Sequence, residues 1–215
     1  MSLQKTGIAG LDQFLRGGLP PIVLLLVGSP ASGNEIFARQ VAYSIANQGK
    51  VTYLTITKSK ENIKEEMMTY GWDTTPLEKS RNWKWVNPLK EEIVDIARKE
   101  TQQDRTIVID SLSELLLTQK TEEATALLTS ISEANRNTRQ MHLVLLTEGM
   151  QTPELEMAMQ HFADGIISFN VTMGTEYSSR HLHIKKLKGA VIPTRNLPYS
   201  IGEKGLTIET AIRIT

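Results

Sequence analysis

Residues 28 to 35 read Gly28-Ser29-Pro30-Ala31-Ser32-Gly33-Asn34-Glu35. Two glycines at this spacing follow the apolar run Ile22 to Val27 and precede a helix-like segment, which outlines the phosphate-binding pattern G-x-x-x-x-G-K-[ST]. In that pattern backbone N–H groups cradle phosphates, the lysine reaches the β- and γ-phosphates, and the hydroxyl meets magnesium. Here Asn34 stands in the lysine's place and Glu35 in the hydroxyl's. The scaffold points to a nucleotide-binding ancestor; the substitutions remove its chemistry.

Magnitudes show how much is removed. A charge-assisted hydrogen bond from lysine contributes roughly 1.5–3 kcal/mol. Asn34 offers a shorter, neutral donor. Glu35 adds a carboxylate near the phosphates, and like charges about 4 Å apart repel by roughly 4 kcal/mol at an effective dielectric near 20. The two changes together weaken triphosphate affinity by about three to four powers of ten. Ala31 adds a smaller cost where such loops often use glycine to reach positive φ. Two roles stay open for Glu35. It is an ordinary first-turn helix residue favoured by the helix dipole, as is Asn34 beside it, or it is itself a hard ligand for magnesium.

Asp110 ends the apolar run Ile107-Val108-Ile109 and precedes Ser111. A carboxylate at the C-terminal end of a buried central strand is where such folds hold a magnesium-bound water. It can equally cap the next segment. No nucleophile elbow accompanies Ser111. His142, His161, His181 and His183 show no metal spacing beyond His181-x-His183, with Glu176 the sole nearby acid, so no metal site is expected.

The whole chain excludes several classes. Its 215 residues carry 24 basic and 24 acidic side chains, so no global charge predicts nucleic acid or an anionic membrane as partner. The absence of cysteine rules out disulfides and thiolate metal sites and fits a reducing compartment. The start, Met1-Ser2-Leu3-Gln4-Lys5, lacks the apolar stretch of a signal peptide, and no run approaches the ~20 residues that span a bilayer. A soluble, cytoplasmic protein is expected.

Strand and helix patterns alternate, which predicts an α/β fold with a mainly parallel sheet and helices on both faces. Strands are expected at Ile22 to Val27, Val51 to Ile56, Trp83 to Val86, Thr106 to Ile109 and His142 to Leu146. Helices are expected near 35–47, near 60–70 with Ser59 as cap, around Ile93, Ile96 and Ala97, and at 121–138. The last of these carries Ala124, Leu127, Leu128, Ile131 and Ala134 on one face. Beyond residue 165 the rhythm changes to short strands, Gly165 to Val171, Leu182 to Leu187, Tyr199 to Ile201 and Leu206 to Ile208. Gly174, Gly189, Pro193, Gly202 and Gly205 punctuate them, so an antiparallel extension is expected on one edge of a single domain, 1–215.

Several stretches resemble the KaiC-like branch of the RecA superfamily of P-loop ATPases. Thr6-Gly7-Ile8-Ala9-Gly10-Leu11-Asp12 with Gly17-Gly18-Leu19-Pro20 is similar to its opening signature. Val108 to Leu112 resembles its Walker B strand, Lys186-Leu187-Lys188-Gly189 its late basic element, and Ile201 to Ile208 its closing hairpin. The resemblance implies a RecA-type core and a ring with ATP at subunit interfaces. It also implies an acidic pair after the second strand, one member of which activates the attacking water. Thr57 and Lys58 occupy those positions here, and neither is a general base near neutral pH. Phosphoryl transfer needs clamp, metal and oriented nucleophile together.

The expectation is therefore a pseudo-ATPase with a degenerate Walker A loop and no catalytic residues. It would be a structural or regulatory subunit, a homo-oligomer or a hetero-oligomer with an active RecA/KaiC paralogue, with neither ATP nor magnesium as a required cofactor. Lys186 and Lys188, by the same resemblance, are candidates to reach a neighbour's γ-phosphate; the plainer reading is a basic strand edge that blunts aggregation. An alternative keeps ATP and magnesium, with Glu35 and Asp110 sharing the metal; another is a recombinase-type paralogue in DNA repair. Direct nucleic-acid binding is not expected, because the stretches matching DNA-binding loops, Leu112 to Glu123 and Glu148 to Glu154, carry mostly acids around Lys120. Trp72, Trp83 and Trp85 read as core or interface rather than base-stacking platforms.

Overall fold

An unbroken apolar run can be buried only where both faces of a strand are covered, and this requirement organises the molecule. A computed structural model describes residues 3–88, 92–117, 121–174, 178–192 and 195–209. In chain order the elements are α1 (Leu11–Phe14), β1 (Val23–Gly28), α2 (Asn34–Ala46), β2 (Lys50–Thr55), α3 (Lys60–Met68), α4 (Thr75–Lys79), β3 (Trp83–Val86) and α5 (Ile93–Thr101). They continue with β4 (Arg105–Asp110), α6 (Leu112–Leu116), α7 (Thr121–Thr138), β5 (His142–Thr147), α8 (Pro153–Phe162), β6 (Gly165–Met173), β7 (Ser178–Leu187), β8 (Leu197–Gly202) and β9 (Gly205–Ile208).

The strands form a nine-stranded sheet in the order β3-β2-β4-β5-β1-β6-β7-β8-β9. β1 to β6 run parallel where they pair, and β6 to β9 pair antiparallel. Alternate residues of β1 serve two cores. Leu24 and Leu26 join Phe37, Val41, Tyr53, Leu143 and Phe169 on the α2 face. Val23, Leu25 and Val27 join Ile107, Ile109, Leu127, Leu128 and Ile131 on the α5–α7 face.

The expected elements are present with ends shifted by a few residues. Ser59 caps α3, its hydroxyl accepting from the Asn62 N–H at 3.2 Å. Ala124, Leu127, Leu128 and Ile131 are buried on α7. Trp72 and Trp83 are buried and Trp85 is half-buried against Tyr53.

The short helices α1 and α4 were not expected, and three further features depart from expectation. Leu112 to Glu123 was matched by resemblance to a DNA-binding loop, yet α6 begins directly after β4 because Leu112, Leu115 and Leu116 have an apolar face to bury. The stretch 148–154 ends inside α8, whose Thr152 cap accepts from the Leu155 N–H. β7 starts at Ser178 rather than Leu182, since pairing with β6 (Met173↔Ser178 through Asn170↔His181) carries its polar end. Lys120, Glu176, Pro193 and the first residues Met1 and Ser2 lie outside the described residues.

Candidate functional site

Parallel strands place their C-terminal ends on one edge, and there the fold gathers the residues whose types suggested chemistry. The Gly28–Glu35 loop leaves β1, Asp110 ends β4, and Thr55, its register partner, ends β2. The loop is tight: the Ser32 N–H bonds the Ser29 carbonyl at 3.0 Å. Ala31 sits at φ +65° and Gly33 at φ +90°, where an L side chain is strained.

Asn34 does not project into the loop. It is buried, its amide donating to the Leu26 carbonyl at 3.3 Å while its oxygen accepts from the Glu35 N–H at 3.0 Å. The carboxamide thus ties the loop back to β1. Glu35 points the other way, half exposed, with both oxygens 3.3 Å from the Lys58 ammonium. The carboxylate gained in the loop and the lysine gained after β2 therefore neutralise one another. Such a partly exposed pair is worth at most about 1 kcal/mol.

The decisive group was not anticipated. Arg39, one turn beyond Glu35 on α2, is buried and turned under the loop. Its guanidinium contacts Asp110 Oδ2 at 3.2 Å and the Tyr53 hydroxyl at 3.2 Å, and pairs with Glu66 of α3. The Tyr53 hydroxyl donates to the same Asp110 oxygen at 2.6 Å. Tyr53 is held by its rings' neighbours, Trp83 at 5.8 Å and Trp85 at 4.9 Å between centroids. Burial pushes the Tyr53 hydroxyl well above its ordinary range, and Asp110 beside it pushes further. Burial opposes the charge on Arg39, but Tyr53, Asp110 and Glu66 outweigh it, and the guanidinium is held more firmly protonated than usual.

This network bears on whether magnesium and ATP fit. A divalent ion on Asp110 would stand near the guanidinium, and at about 4 Å the repulsion is roughly 8 kcal/mol at a dielectric near 20, twice the unit-charge value. The carboxylates that could offset it, Glu35, Glu66 and Asp110, are already shared with Arg39 at 3.9 Å, in close contact and at 3.2 Å. The carboxylates that a divalent ion would need are thus already engaged by the Arg39 guanidinium.

The loop mouth is a cavity of about 360 Å³ lined by Ala31, Gly33, Asn34, Glu35, Ile36, Arg180 and Ile201. The closing hairpin braces it: the Tyr199 hydroxyl donates to the Ser32 carbonyl, and Ile201 Cδ1 lies 2.5 Å from where a Gly33 Cβ would stand. Burial raises the Tyr199 hydroxyl to about 12.

Lys186 and Lys188 sit elsewhere. The register Leu24↔Gly165↔Leu187 places them at the opposite end of the sheet from the loop. Lys186 Nζ donates to the His161 carbonyl at 2.8 Å and the Gln160 carbonyl at 3.3 Å, closing the C-terminus of α8. Lys188 pairs with Asp164 at 2.8 Å. His181 and His183 line β7 opposite Asn170 and Ser168, and among the described residues no cluster of three metal-ligating side chains occurs.

A family model for the KaiC ATPases matches residues 4–212. The chain belongs to the KaiC family of ATPases. Its fold is the RecA-type fold of that family: a KaiC-like protein from the hyperthermophilic archaeon Pyrococcus horikoshii OT3 superposes with a TM-score of 0.82 over 96% of this chain and 98% of that one, at 20% identity. Among curated relatives, a UPF0273 protein of Thermotoga maritima is 27% identical, the match covering 95% of this chain and 94% of the relative. A UPF0273 protein of Aeropyrum pernix is 26% identical over 95% of this chain and 92% of its own length. Within that fold Arg39 is paired with Asp110, the last residue of β4.

Arg39 was missed because a lone arginine on an amphipathic helix ordinarily reads as solvated. The available signal was its place between Ala38 and Val41 on the apolar face, four residues after Glu35.

Proposed function

We propose that this KaiC-family domain has lost ATP hydrolysis and acts as a structural or regulatory subunit, either assembling with itself or joining an ATP-hydrolysing KaiC paralogue. The observation that carries the reading is the Arg39 guanidinium on Asp110, inside a buried network with Tyr53. It supplies a permanent cation where the family's chemistry calls for an exchangeable one. The inward Asn34 and the Glu35–Lys58 pair support the same reading, since each converts a reactive position into an internal tie. Its carboxylates, Asp110, Glu66 and Glu35, are each engaged by Arg39 or Lys58 rather than left to act as a base.

A phosphate-release assay with ATP and magnesium, run on wild type and on Asp110→Asn, tests it. Wild type is expected to release phosphate no faster than a protein-free control. Turnover in wild type that Asp110→Asn abolishes would instead establish a divergent ATPase with Glu35 and Asp110 on the metal.

A further inference from the structure

A second basic cleft lies away from the loop, at the end of the sheet where β1 begins. It is a cavity of about 240 Å³ lined by Pro21, Ile22, Ser132, Asn135, Arg136, Arg139, Asp164 and Lys188. That volume is below the range of drug-sized ligand sites, so it suits a small group.

The polar groups of the cleft divide into engaged and free. Asp164, the acid in its lining, accepts from the Ser132 hydroxyl at 2.8 Å and pairs with Lys188 at 2.8 Å. Asn135 donates to the Pro21 carbonyl at 3.1 Å and the Gln140 carbonyl at 2.7 Å, which makes it a fixed floor. Arg136 and Arg139 have no side-chain hydrogen bond or ion pair among the described residues. Arg139 also holds φ +54°, a conformation unfavourable for a side-chain-bearing residue, just past the end of α7. Three cations thus face one carboxylate, and two guanidinium forks stand unspent. The C-terminal carbonyls of α7 offset only about half a charge.

We infer that this cleft binds a phosphate group, held by Arg136 and Arg139 with Lys188 adding charge. Guanidinium forks match phosphate oxygens bidentately, which lysine alone does not do. A carboxylate carries half the charge and fewer oxygens, so it is the weaker occupant. The apolar wall of Pro21 and Ile22 closes one side, and the volume admits a phosphate alone or with a small organic group attached. The inference stands apart from the reading of the nucleotide loop, because no residue is shared between the two sites.

Calorimetric titration with inorganic phosphate, with glycerol 3-phosphate and with acetate, all at one ionic strength, tests this on the intact chain. Saturable binding of a phosphate species is expected in wild type and in Arg180→Gln, which removes the cation at the loop mouth. Arg136→Gln and Arg139→Gln should each weaken it roughly tenfold or more. Both arginines are exposed, so the variants should keep the wild-type circular dichroism spectrum. Tighter binding of inorganic phosphate identifies a free ion as occupant; equal or tighter binding of glycerol 3-phosphate identifies the phosphoryl end of a larger molecule. Acetate binding as well as phosphate, no saturation in wild type, or loss in Arg180→Gln with retention in the Arg136 and Arg139 variants would overturn the assignment.

Discussion

At the scale of residues, one guanidinium decides what the site is. Arg39 and Asp110 are both almost fully buried, with side chains 4% and 5% exposed. Removing one partner from such a pair leaves an uncompensated buried charge, at a cost of about 3–5 kcal/mol. Arg39→Met should therefore lower stability to denaturant by about that amount. Adding Asp110→Leu to it should recover part of the loss, because no charge then remains between them. Additive losses in the double variant would show that the two side chains do not act as a pair.

His142 provides a second test at this scale. Its Nδ1 accepts the Ile107 N–H at 3.1 Å, and its Nε2 is buried without a partner. Burial depresses its pKa from the usual value near 6.5 to about 3, although Asp164 pulls slightly the other way. Between those values the unfolded chain binds the proton and the folded one does not. The histidine's contribution is thus complete above about pH 6.5 and is lost as pH falls toward 3, with a slope of at most about 1.4 kcal/mol per pH unit. Replacing His142 with Asn, whose oxygen can take over the Ile107 N–H, should flatten that part of the stability–pH profile; an unchanged slope would contradict it.

At the scale of elements, the closing hairpin holds the loop. β8 supplies the Tyr199 hydroxyl to the Ser32 carbonyl and Ile201 against Gly33. Tyr199→Phe should cost about 1 kcal/mol, one neutral hydrogen bond with a buried carbonyl left behind. Gly33→Ala should cost more, since the added methyl meets Ile201 at a φ of +90°. Thermal denaturation of both variants checks the order, and Gly33→Ala being the milder would contradict the proposed bracing.

The elements were also the most legible part of the sequence. Runs such as Ile107-Val108-Ile109 and the periodic face of α7 announce themselves, because burial on two faces or one stripe leaves a pattern in the chain. α6 was not legible because it is only five residues long, and α8 was not because its first turn lies where a loop was expected. The site was half legible. Spacing revealed the altered loop and Asp110, but Arg39, Tyr53, Glu66 and Asp110 are distant in sequence and meet only through the sheet order. The side chain of Asn34 reads as a weakened donor to phosphate, while its actual partner is the carbonyl of Leu26.

At the scale of the whole molecule, a KaiC-family fold is retained around a loop whose Asn34 and Glu35 side chains are engaged internally. Among the described residues no helix is long and apolar enough to cross a membrane. On the proposed reading, with Arg39 in place of a metal, assembly should not respond to nucleotide. Sedimentation should give the same mass, a multiple of 24.1 kDa, with and without ATP and magnesium. A mass that rises on adding both would mean that nucleotide drives assembly.

The central claim is that Arg39 has taken the metal's place at Asp110, and isothermal titration of the wild-type chain with ATP and magnesium addresses it most directly. The account predicts no saturable heat at concentrations up to about 1 mM, weaker than about −4 kcal/mol of binding free energy. Micromolar binding that requires magnesium and disappears in Asp110→Asn would contradict it.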